Sequence, residues 1–328
     1  MINFEYTRVS TVKAAVDALA KNPAGGFIAG GTNLVDLMKK GVTAPTRLID
    51  INNLPLKQIT FDSNGLSIGA LALNSGIAED EKVKQNYPLL AMALKAGASA
   101  QLRNMATAGG NMMQRTRCSY FYDTAMPCNK RNPGSGCGAL QGYNRMHAIF
   151  GASNKCIAVH PSDMCVALAA LDAKVEIAGP KANRVIPFTD FHRLPGDAPE
   201  KDNTLLKGEL ITGIRIPSNS FTKNVYYLKV RDRASYAFAL VSVAAALDLN
   251  GNTIKSARLA MGGVAHKPWR LKEVETYLAG KTASADTFRQ AATLAMKGAK
   301  SYGQNDFKLK LAPATIIEAL SIAAKGII

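Results

Sequence analysis

The spacing of apolar and polar positions predicts a mixed helix and strand structure from the first residues onward. Apolar positions near helical spacing follow Ser10, whose side chain can cap the helix. A short apolar strand at 27–29 then leads into a glycine-rich turn, a helix at 34–40 and a strand at 47–51. This order predicts a strand–helix–strand unit with the glycine turn at its first junction.

A short polar stretch at 218–220 predicts a linker between two parts of the chain. Before it, the pattern predicts strands at 66–70, 174–177, 184–187 and 209–217, and helices at 74–80, 88–97 and after Ser162. After it, the pattern predicts strands at 226–230, 238–249 and 254–261, then helices at 268–278, 286–300 and 314–324. Strands followed by helices indicate a separate α+β domain.

Composition is that of an ordinary globular protein. The 328 residues are 47% hydrophobic and 20% charged, which is enough for a sizeable core. No apolar run approaches the roughly 18 residues of a membrane span, and the first residues lack the pattern of a signal peptide. The net charge of +16 comes from scattered residues, so we expect an acidic protein partner and no nucleic acid.

Two glycine pairs are the first candidate site. Gly30-Gly31-Thr32-Asn33 follows the predicted strand, and Thr107-Ala108-Gly109-Gly110-Asn111 forms a second tight turn of similar chemistry. Glycines let the backbone approach a ligand closely, and successive amides can face an anion. Neither turn matches a Walker loop or the Gly-x-Gly-x-x-Gly fingerprint. The pair predicts one extended ligand with a pyrophosphate, against the simpler alternative of two ordinary turns.

Four of the five cysteines lie in the long segment after the second turn. Their spacing is Cys118-x9-Cys128-x8-Cys137-x18-Cys156, without the close pair typical of zinc sites. Disulfides are not favoured without a signal peptide, so zinc and an iron–sulfur cluster both remain open from spacing alone. The fifth cysteine, Cys165, falls in an apolar helical stripe and is predicted to be buried.

The motifs, taken in order, resemble a known family. The series consists of Ala29-Gly30-Gly31-Thr32-Asn33-Leu34, Thr107-Ala108-Gly109-Gly110-Asn111, Pro161-Ser162-Asp163, Glu209-Leu210-Ile211 with Ile216-Pro217, and Met261-Gly262-Gly263-Val264-Ala265 with Pro268 and Arg270. This series resembles the FAD-binding medium subunits of molybdenum hydroxylases, the xanthine dehydrogenase and carbon monoxide dehydrogenase class. The resemblance covers essentially the whole chain.

The resemblance implies an α+β fold. Residues 1–217 would form the two-subdomain FAD-binding fold of the vanillyl-alcohol oxidase type, divided at about 55/56. Residues 224–328 would form a small C-terminal flavoprotein domain with a three-stranded antiparallel sheet and helices. The cysteines would lie on an insertion at about 112–159 that splits the FAD-binding motif.

The resemblance also implies cofactor contacts. The residues expected to bind FAD are Phe27, Ile28, Ala29, Gly30, Gly31, Thr32, Asn33, Leu34, Thr107, Gly110, Asn111, Ser162, Asp163, Ile211 and Lys229. The two glycine loops would hold the pyrophosphate, and Asp163 would lie near the adenosine half. Ile211 and Lys229 would contact the cofactor further along.

Two features depart from the common family pattern. His160 stands where most members have an acidic residue, so a carboxylate role there is not expected. The insertion is the larger departure, and it resembles a subset whose insertion holds a [4Fe–4S] cluster, above all the flavin subunit of bacterial periplasmic aldehyde oxidoreductase. The resemblance implies that Cys118, Cys128, Cys137 and Cys156 bind this cluster. Nearby Arg115, Arg117, Lys130 and Arg131 are expected to offset the thiolate charge.

The expected function is that of an electron-transfer subunit in a heterotrimer. A molybdenum-cofactor large subunit would oxidise an aldehyde, and a [2Fe–2S] small subunit would pass electrons to FAD and then to an external acceptor. No catalytic residue for substrate oxidation is expected on this chain. It would fold in the cytoplasm, and a partner with a twin-arginine signal could export the complex to the periplasm.

Three alternatives remain open at this point. One is a stand-alone flavin dehydrogenase or oxidase, and another is the FAD subunit of a 4-hydroxybenzoyl-CoA reductase-like enzyme. The third is a scaffold subunit stabilised by zinc.

Overall fold

The computed structural model describes residues 1–326. Its strands are β1 Glu5–Arg8, β2 Gly26–Ile28, β3 Arg47–Asp50, β4 Ile59–Asp62, β5 Gly65–Gly69, β6 Lys174–Ala178, β7 Arg184–Pro187, β8 Leu210–Pro217, β9 Val225–Val230, β10 Val241–Asn250, β11 Thr253–Gly262 and β12 Trp269–Arg270. Its α-helices are α1 Val12–Lys21, α2 Leu34–Lys39, α3 Asn74–Glu79, α4 Glu81–Asn86, α5 Pro88–Ala96, α6 Ala100–Arg103, α7 Ala108–Met112, α8 Ser119–Tyr122, α9 Asp163–Ala170, α10 Lys272–Leu278, α11 Ala285–Ala295 and α12 Lys308–Lys325. The mixed α/β architecture agrees with the predicted fold class.

The first sheet is small and parallel. Its order is β1-β3-β2, and β2 pairs with β3 so that Phe27 lies opposite Ile49. The predicted strand–helix–strand unit is therefore present, with β1 added at the edge. The capping prediction is wrong by one residue, because the side chain of Thr11, not Ser10, accepts the hydrogen bond from the backbone of Ala14.

The second sheet has the order β4-β5-β8-β6-β7 and is antiparallel throughout. Its apolar face packs on α5 and α9, and the largest buried cluster of the protein forms between them. Ser162 caps α9 as predicted, because its hydroxyl accepts from the backbone N–H of Cys165 at 3.1 Å. This cap holds the start of α9 beside the loops that carry the candidate site.

The third sheet lies in the C-terminal part and has the order β12-β11-β10-β9. Its three long strands are antiparallel as predicted, but a fourth short strand, β12, pairs at the edge through Trp269. The predicted helix at 268–278 consequently begins only at Lys272. The last helix begins before the predicted residue 314 and contains Pro313 in its second turn, so proline did not mark its start.

The segment between α7 and α9 is largely irregular and contains one short helix, α8. It was expected to follow a tight turn at 107–111, but that turn is the start of helix α7. Thr107 caps this helix, and its Oγ1 accepts from the backbone N–H of Gly110 at 3.2 Å. Within residues 1–326, no helix is long and apolar enough to cross a membrane.

A substitution at Gly65 would test the register between β5 and β8 in the second sheet. The φ of Gly65 is +130°, and a Cβ there would lie 2.1 Å from the carbonyl oxygen of Ile216 in β8. We expect Gly65→Ala to lower the denaturation midpoint, since backbone strain of this kind costs about 1–3 kcal/mol before the clash is counted.

The matched control is Gly76→Ala. Gly76 lies inside α3 with open space where a Cβ would be added, so alanine should stabilise by about 0.5–1 kcal/mol. Equal midpoints for Gly65→Ala and the wild-type protein would contradict the β5–β8 register.

Candidate functional site

The largest cavity near the glycine loops has a volume of about 500 Å³. It lies between the first parallel sheet and the second, antiparallel sheet, and both glycine motifs form its wall. The predicted FAD residues that line it are Phe27, Ala29, Gly30, Gly31, Thr32, Asn33, Leu34, Thr107, Gly110 and Ile211. Ten of the fifteen predicted contacts are thus brought together around one space.

The two loops touch each other at Gly30. A Cβ on this residue would lie 1.8 Å from the carbonyl oxygen of Met105, so only glycine allows the contact. Gly31 follows with a φ of +72° and turns the chain into α2. The glycine pair therefore closes the gap between the loops and exposes backbone to the cavity.

Asn33 provides a polar group without a partner. Its Oδ1 accepts the backbone N–H of Arg115 at 3.1 Å, whereas its Nδ2 is buried and makes no hydrogen bond within the structure. A buried amide donor left unpaired costs about 1–3 kcal/mol. On the wall of this cavity, the unpaired N–H₂ fits an acceptor such as a phosphate oxygen.

The remaining predicted FAD residues lie outside this wall. Ile28 packs behind Gly31, and Asn111 faces away to accept a hydrogen bond from the Ser162 hydroxyl at 2.6 Å. Ser162 and Asp163 line a second cavity of about 270 Å³. Lys229 is found on the wall of neither cavity. The Asn111–Ser162 hydrogen bond joins the two halves of the split motif.

Asp163 is the centre of a buried polar network. Its Oδ1 accepts from the hydroxyl of Tyr227 at 2.7 Å, and its Oδ2 accepts from Nζ of Lys229 at 2.8 Å. Burial, followed by the charge of Asp163, raises the pKa of Tyr227 well above its ordinary value. The pair fixes β9 of the C-terminal part against the start of α9, because breaking such a buried pair costs about 3–5 kcal/mol.

Several residues on the large cavity escaped the sequence reasoning. Met113, Arg115, Asn203 and the 205–208 segment all line it. The 205–208 stretch lies in a loop just before the Glu209-Leu210-Ile211 motif, and its own residues carry no motif that could have marked it. Arg115 was noted only as a basic neighbour of the cysteines.

The four cysteines of the insertion line one small cavity. Cys118, Cys128, Cys137 and Cys156 all contribute to its wall, together with Tyr120, Phe121 and Lys130. None of them is in a disulfide. A short antiparallel bridge joins Cys128 to Cys137, so the chain folds back on itself around the cavity. The fold thus supplies the convergence that irregular spacing requires.

The separation of the sulfurs distinguishes the two kinds of metal site. Within the described chain, no three of these four sulfurs lie within 4.8 Å of one another. A tetrahedral zinc with Zn–S bonds of about 2.3 Å needs sulfurs about 3.8 Å apart. In a cluster each thiolate binds a different iron atom, which allows a wider arrangement. As placed, these four sulfurs are not arranged around one tetrahedral ion.

Two of the four thiols, those of Cys118 and Cys156, are neutral at pH 7 without a metal. Burial raises the pKa of Cys118 to about 12 and that of Cys156 to about 11. The charge of Lys130 acts against burial at Cys156, as predicted for this lysine. Because thiolates are the form that metals bind, a bound metal would favour deprotonation of these two thiols.

The other predicted basic residues are engaged elsewhere. Arg115 donates to Asp202 at 2.7 Å and Arg117 pairs with Asp36 at 3.5 Å, while Arg131 donates to the carbonyls of Tyr120 and Phe121. Lys130 itself also donates to Asp202 and to the Pro199 carbonyl. An effect on a thiol is seen for Lys130 at Cys156, and for the three arginines the expected offset of thiolate charge stays a prediction.

Asp202 is nearly enclosed by these cations. Burial alone would disfavour its ionised form, but the charges of Lys130 and Arg115 hold its pKa well below the usual range. Asp202 is therefore an anion that anchors the insertion to the loop at the large cavity.

Two histidines contact the thiols. Nε2 of His147 lies 3.1 Å from Sγ of Cys118, and Nε2 of His266 lies 3.6 Å from Sγ of Cys156. Burial lowers the pKa of His147 to about 4, helped by the charge of Lys308, and burial lowers that of His266 to about 3, helped by Lys130. Both imidazoles are neutral at pH 7. No sequence signal pointed to either contact.

A third group, formed by His160, His192 and Cys165, has ligand atoms within 4.8 Å of one another. Nδ1 of His160 accepts the backbone N–H of Ser162, so the ring proton is on Nε2. Nε2 of His192 faces the carbonyl of Met112 at 2.9 Å and donates to it. Because His160 presents a protonated nitrogen, this group is a packed imidazole pair rather than a metal site.

The insertion connects the cavities. Arg115 lines the large cavity, Thr116 and Cys118 line both the second cavity and the cysteine cavity, and His147 lines the second. A four-residue stretch therefore runs from the glycine loops to the thiols.

Comparison with known proteins agrees with this geometry. Residues 2–219 match the family described as FAD binding domain in molybdopterin dehydrogenase, and residues 226–322 match the CO dehydrogenase flavoprotein C-terminal domain. The aldehyde oxidoreductase FAD-binding subunit PaoB of Escherichia coli is 50% identical over 98% of both chains. The glyceraldehyde dehydrogenase medium chain of Sulfolobus acidocaldarius is 31% identical, with 88% of this chain and 86% of that one covered.

A solved structure supports the same assignment. Carbon monoxide dehydrogenase from Hydrogenophaga pseudoflava contains a chain that superposes with a TM-score of 0.77 at 25% identity, with 98% of each chain covered. The protein belongs to the FAD-binding subunits of the molybdenum hydroxylase family.

Proposed function

We propose that this chain carries FAD and a [4Fe–4S] cluster and transfers electrons within a molybdenum-containing aldehyde oxidoreductase. The observation that carries the proposal is the convergence of four free thiols in a cavity that shares a chain segment with the flavin loops. The aldehyde specificity rests on the 50% identical relative, which bears that name.

The FAD pyrophosphate is proposed to lie between Gly30-Gly31 and Gly110. Asn33 Nδ2 is the donor without a partner there, and Gly30, which packs on the Met105 carbonyl, brings the two loops to one wall. The cofactor would run through the large cavity toward Ser162 and Asp163, with Ile211 on its wall and Lys229 acting through its ion pair. Bound FAD supplies one- and two-electron chemistry, and this chain holds it in place.

The cluster is proposed to be bound by Cys118, Cys128, Cys137 and Cys156. A bound cluster supplies one-electron transfer. The chain contributes four thiols, an enclosed wall with Phe121, and the charge of Lys130 beside Cys156. The zinc scaffold is the weaker candidate, because no three of these sulfurs lie within 4.8 Å of one another in the described residues.

The partners are proposed to be a large molybdenum-cofactor subunit and a small [2Fe–2S] subunit, with an external electron acceptor. Relatives named as medium chains support a multi-subunit assembly. The net charge of +16 fits acidic partner surfaces. The proposed domains are 1–217, with the insertion, and 224–328. We also propose that the chain folds in the cytoplasm and is exported together with a partner.

Replacement of one ligand should separate the two cofactors. We expect Cys128→Ser to lose most of the iron while retaining most of the FAD, because Cys128 lines the cysteine cavity and not the flavin cavity. Iron, sulfide and FAD per chain are the measurements. Cys165→Ala is the matched control, since Cys165 is buried in the apolar core, and its iron should be complete. Unchanged iron in Cys128→Ser would refute the ligand assignment.

A substitution in the second glycine loop should lower both the FAD content and the rate of electron transfer to an external acceptor. Gly110 lines the flavin cavity, and a β-branched side chain there would crowd the Thr107 Oγ1, which lies 3.0 Å from an added Cβ. We expect Gly110→Val to lower FAD occupancy severalfold and to lower aldehyde-dependent reduction of an external dye in proportion.

Gly76→Val, at an open helical position, controls for general destabilisation and should retain FAD. Dye reduction that stays at the wild-type rate in FAD-depleted Gly110→Val complex would show that the electrons do not pass through the flavin.

A further inference from the structure

Two of the four cluster thiols have an imidazole neighbour and two do not. His147 approaches Cys118 at 3.1 Å and His266 approaches Cys156 at 3.6 Å, in both cases through Nε2. Both rings are buried, with relative exposures of 5% and 4%. Among the described residues, the sulfurs of the other two cysteines, Cys128 and Cys137, make no hydrogen bond to a side chain. The arrangement around the cavity is therefore asymmetric.

Once a metal is bound to the sulfur, the imidazole must be the hydrogen-bond donor and the sulfur the acceptor. A coordinated thiolate sulfur can only accept a hydrogen bond. A lone pair on Nε2 facing that anion at 3.1 Å would be repulsive, whereas an Nε2–H would be attractive. Nδ1 of each ring makes no hydrogen bond of standard geometry in the described structure, and the competing acceptors are the backbone of Asn144 for His147 and the backbone of Arg193 for His266. Each neutral imidazole can therefore direct its one N–H to sulfur.

His147 is held rigidly for this role. Its carbonyl accepts from Nζ of Lys308 at 3.0 Å and from Nδ2 of Asn305 at 3.3 Å, and both donors belong to the C-terminal part. Lys308 is fully buried and donates also to the carbonyl of Gly263. His266 lies three residues beyond Gly263. The C-terminal part thus supplies or fixes both imidazoles.

We propose that His147 and His266 are positioning residues that raise the reduction potential of the cluster by donating N–H···S hydrogen bonds to Cys118 and Cys156. Hydrogen bonds to the sulfurs are one of the factors that set cluster potentials. The reduced cluster carries one more negative charge than the oxidised cluster, so the two donors stabilise the reduced form more. This inference rests on the proposed cluster, and it adds a role that the ligands alone do not explain.

The test compares two substitutions at each histidine in the intact complex. His147→Leu removes the donor and keeps an apolar side chain, whereas His147→Gln places an amide N–H₂ near the position of Nε2. The midpoint potential of the cluster is followed by electron paramagnetic resonance during a redox titration, with iron and sulfide counted in each sample.

We expect His147→Leu to disfavour the reduced cluster at least tenfold, a shift of about 59 mV to more negative potential for a one-electron couple. His147→Gln should recover most of this shift. His266→Leu should shift the potential in the same direction by less, because its contact is longer. His192→Gln is the control, since His192 is equally buried but donates to the Met112 carbonyl, and it should leave the cluster potential unchanged.

Loss of iron in His147→Leu with retention in His147→Gln at near wild-type potential would also support the donor role. Wild-type potentials in both leucine variants, equal shifts in the Leu and Gln variants, or equal loss of iron in both His147 variants would overturn it. Wild-type complex without iron and sulfide would instead show that the proposed cluster itself is wrong.

Discussion

A partly buried charge group at Asp202 joins the two candidate redox sites. Asp202 accepts from Lys130, whose side chain is 1% exposed, and from Arg115 at 2.7 Å. Lys130 belongs to the cysteine insertion, and Arg115 has its backbone N–H on Asn33 of the first glycine loop. Removing the Asp202 carboxylate would leave the buried ammonium of Lys130 without its anionic partner, and breaking a buried ion pair in this way costs about 3–5 kcal/mol. Three loops without regular structure are fixed by this one group.

The insertion is therefore part of the candidate flavin site rather than an addition to its edge. It separates Asn111 from Ser162 by 50 residues of sequence, yet their side chains meet at 2.6 Å. Its first residues form a wall of the large cavity, and its later ones are held by the C-terminal part through Asn305 and Lys308. A redox centre in the insertion would be held by all three parts of the fold.

The features that could be predicted from the sequence were local ones, which depend on a few neighbouring residues. Ser162 was recognisable as a cap, and the glycine pairs were recognisable as points of close backbone approach. The second glycine turn proved to be a capped helix, because Thr107 offers its hydroxyl where a turn and a helix start look alike. Pro313 lies inside a helix, which its sequence context did not indicate.

Long-range contacts were out of reach for the same physical reason. The pairing of Arg115 and Lys130 with Asp202, and of His147 and His266 with two thiols, joins residues from 29 to 110 positions apart. No periodicity or spacing encodes such pairs. The convergence of the cysteines was itself inferred through family resemblance, and only the folded chain brings their side chains to one cavity.

The most direct test of the account is a count of iron, acid-labile sulfide, zinc and FAD in the wild-type protein purified without oxygen. The account predicts about four iron atoms and about four sulfides per chain, one FAD, and essentially no zinc. A colourless protein with about one zinc per chain and no sulfide would contradict it.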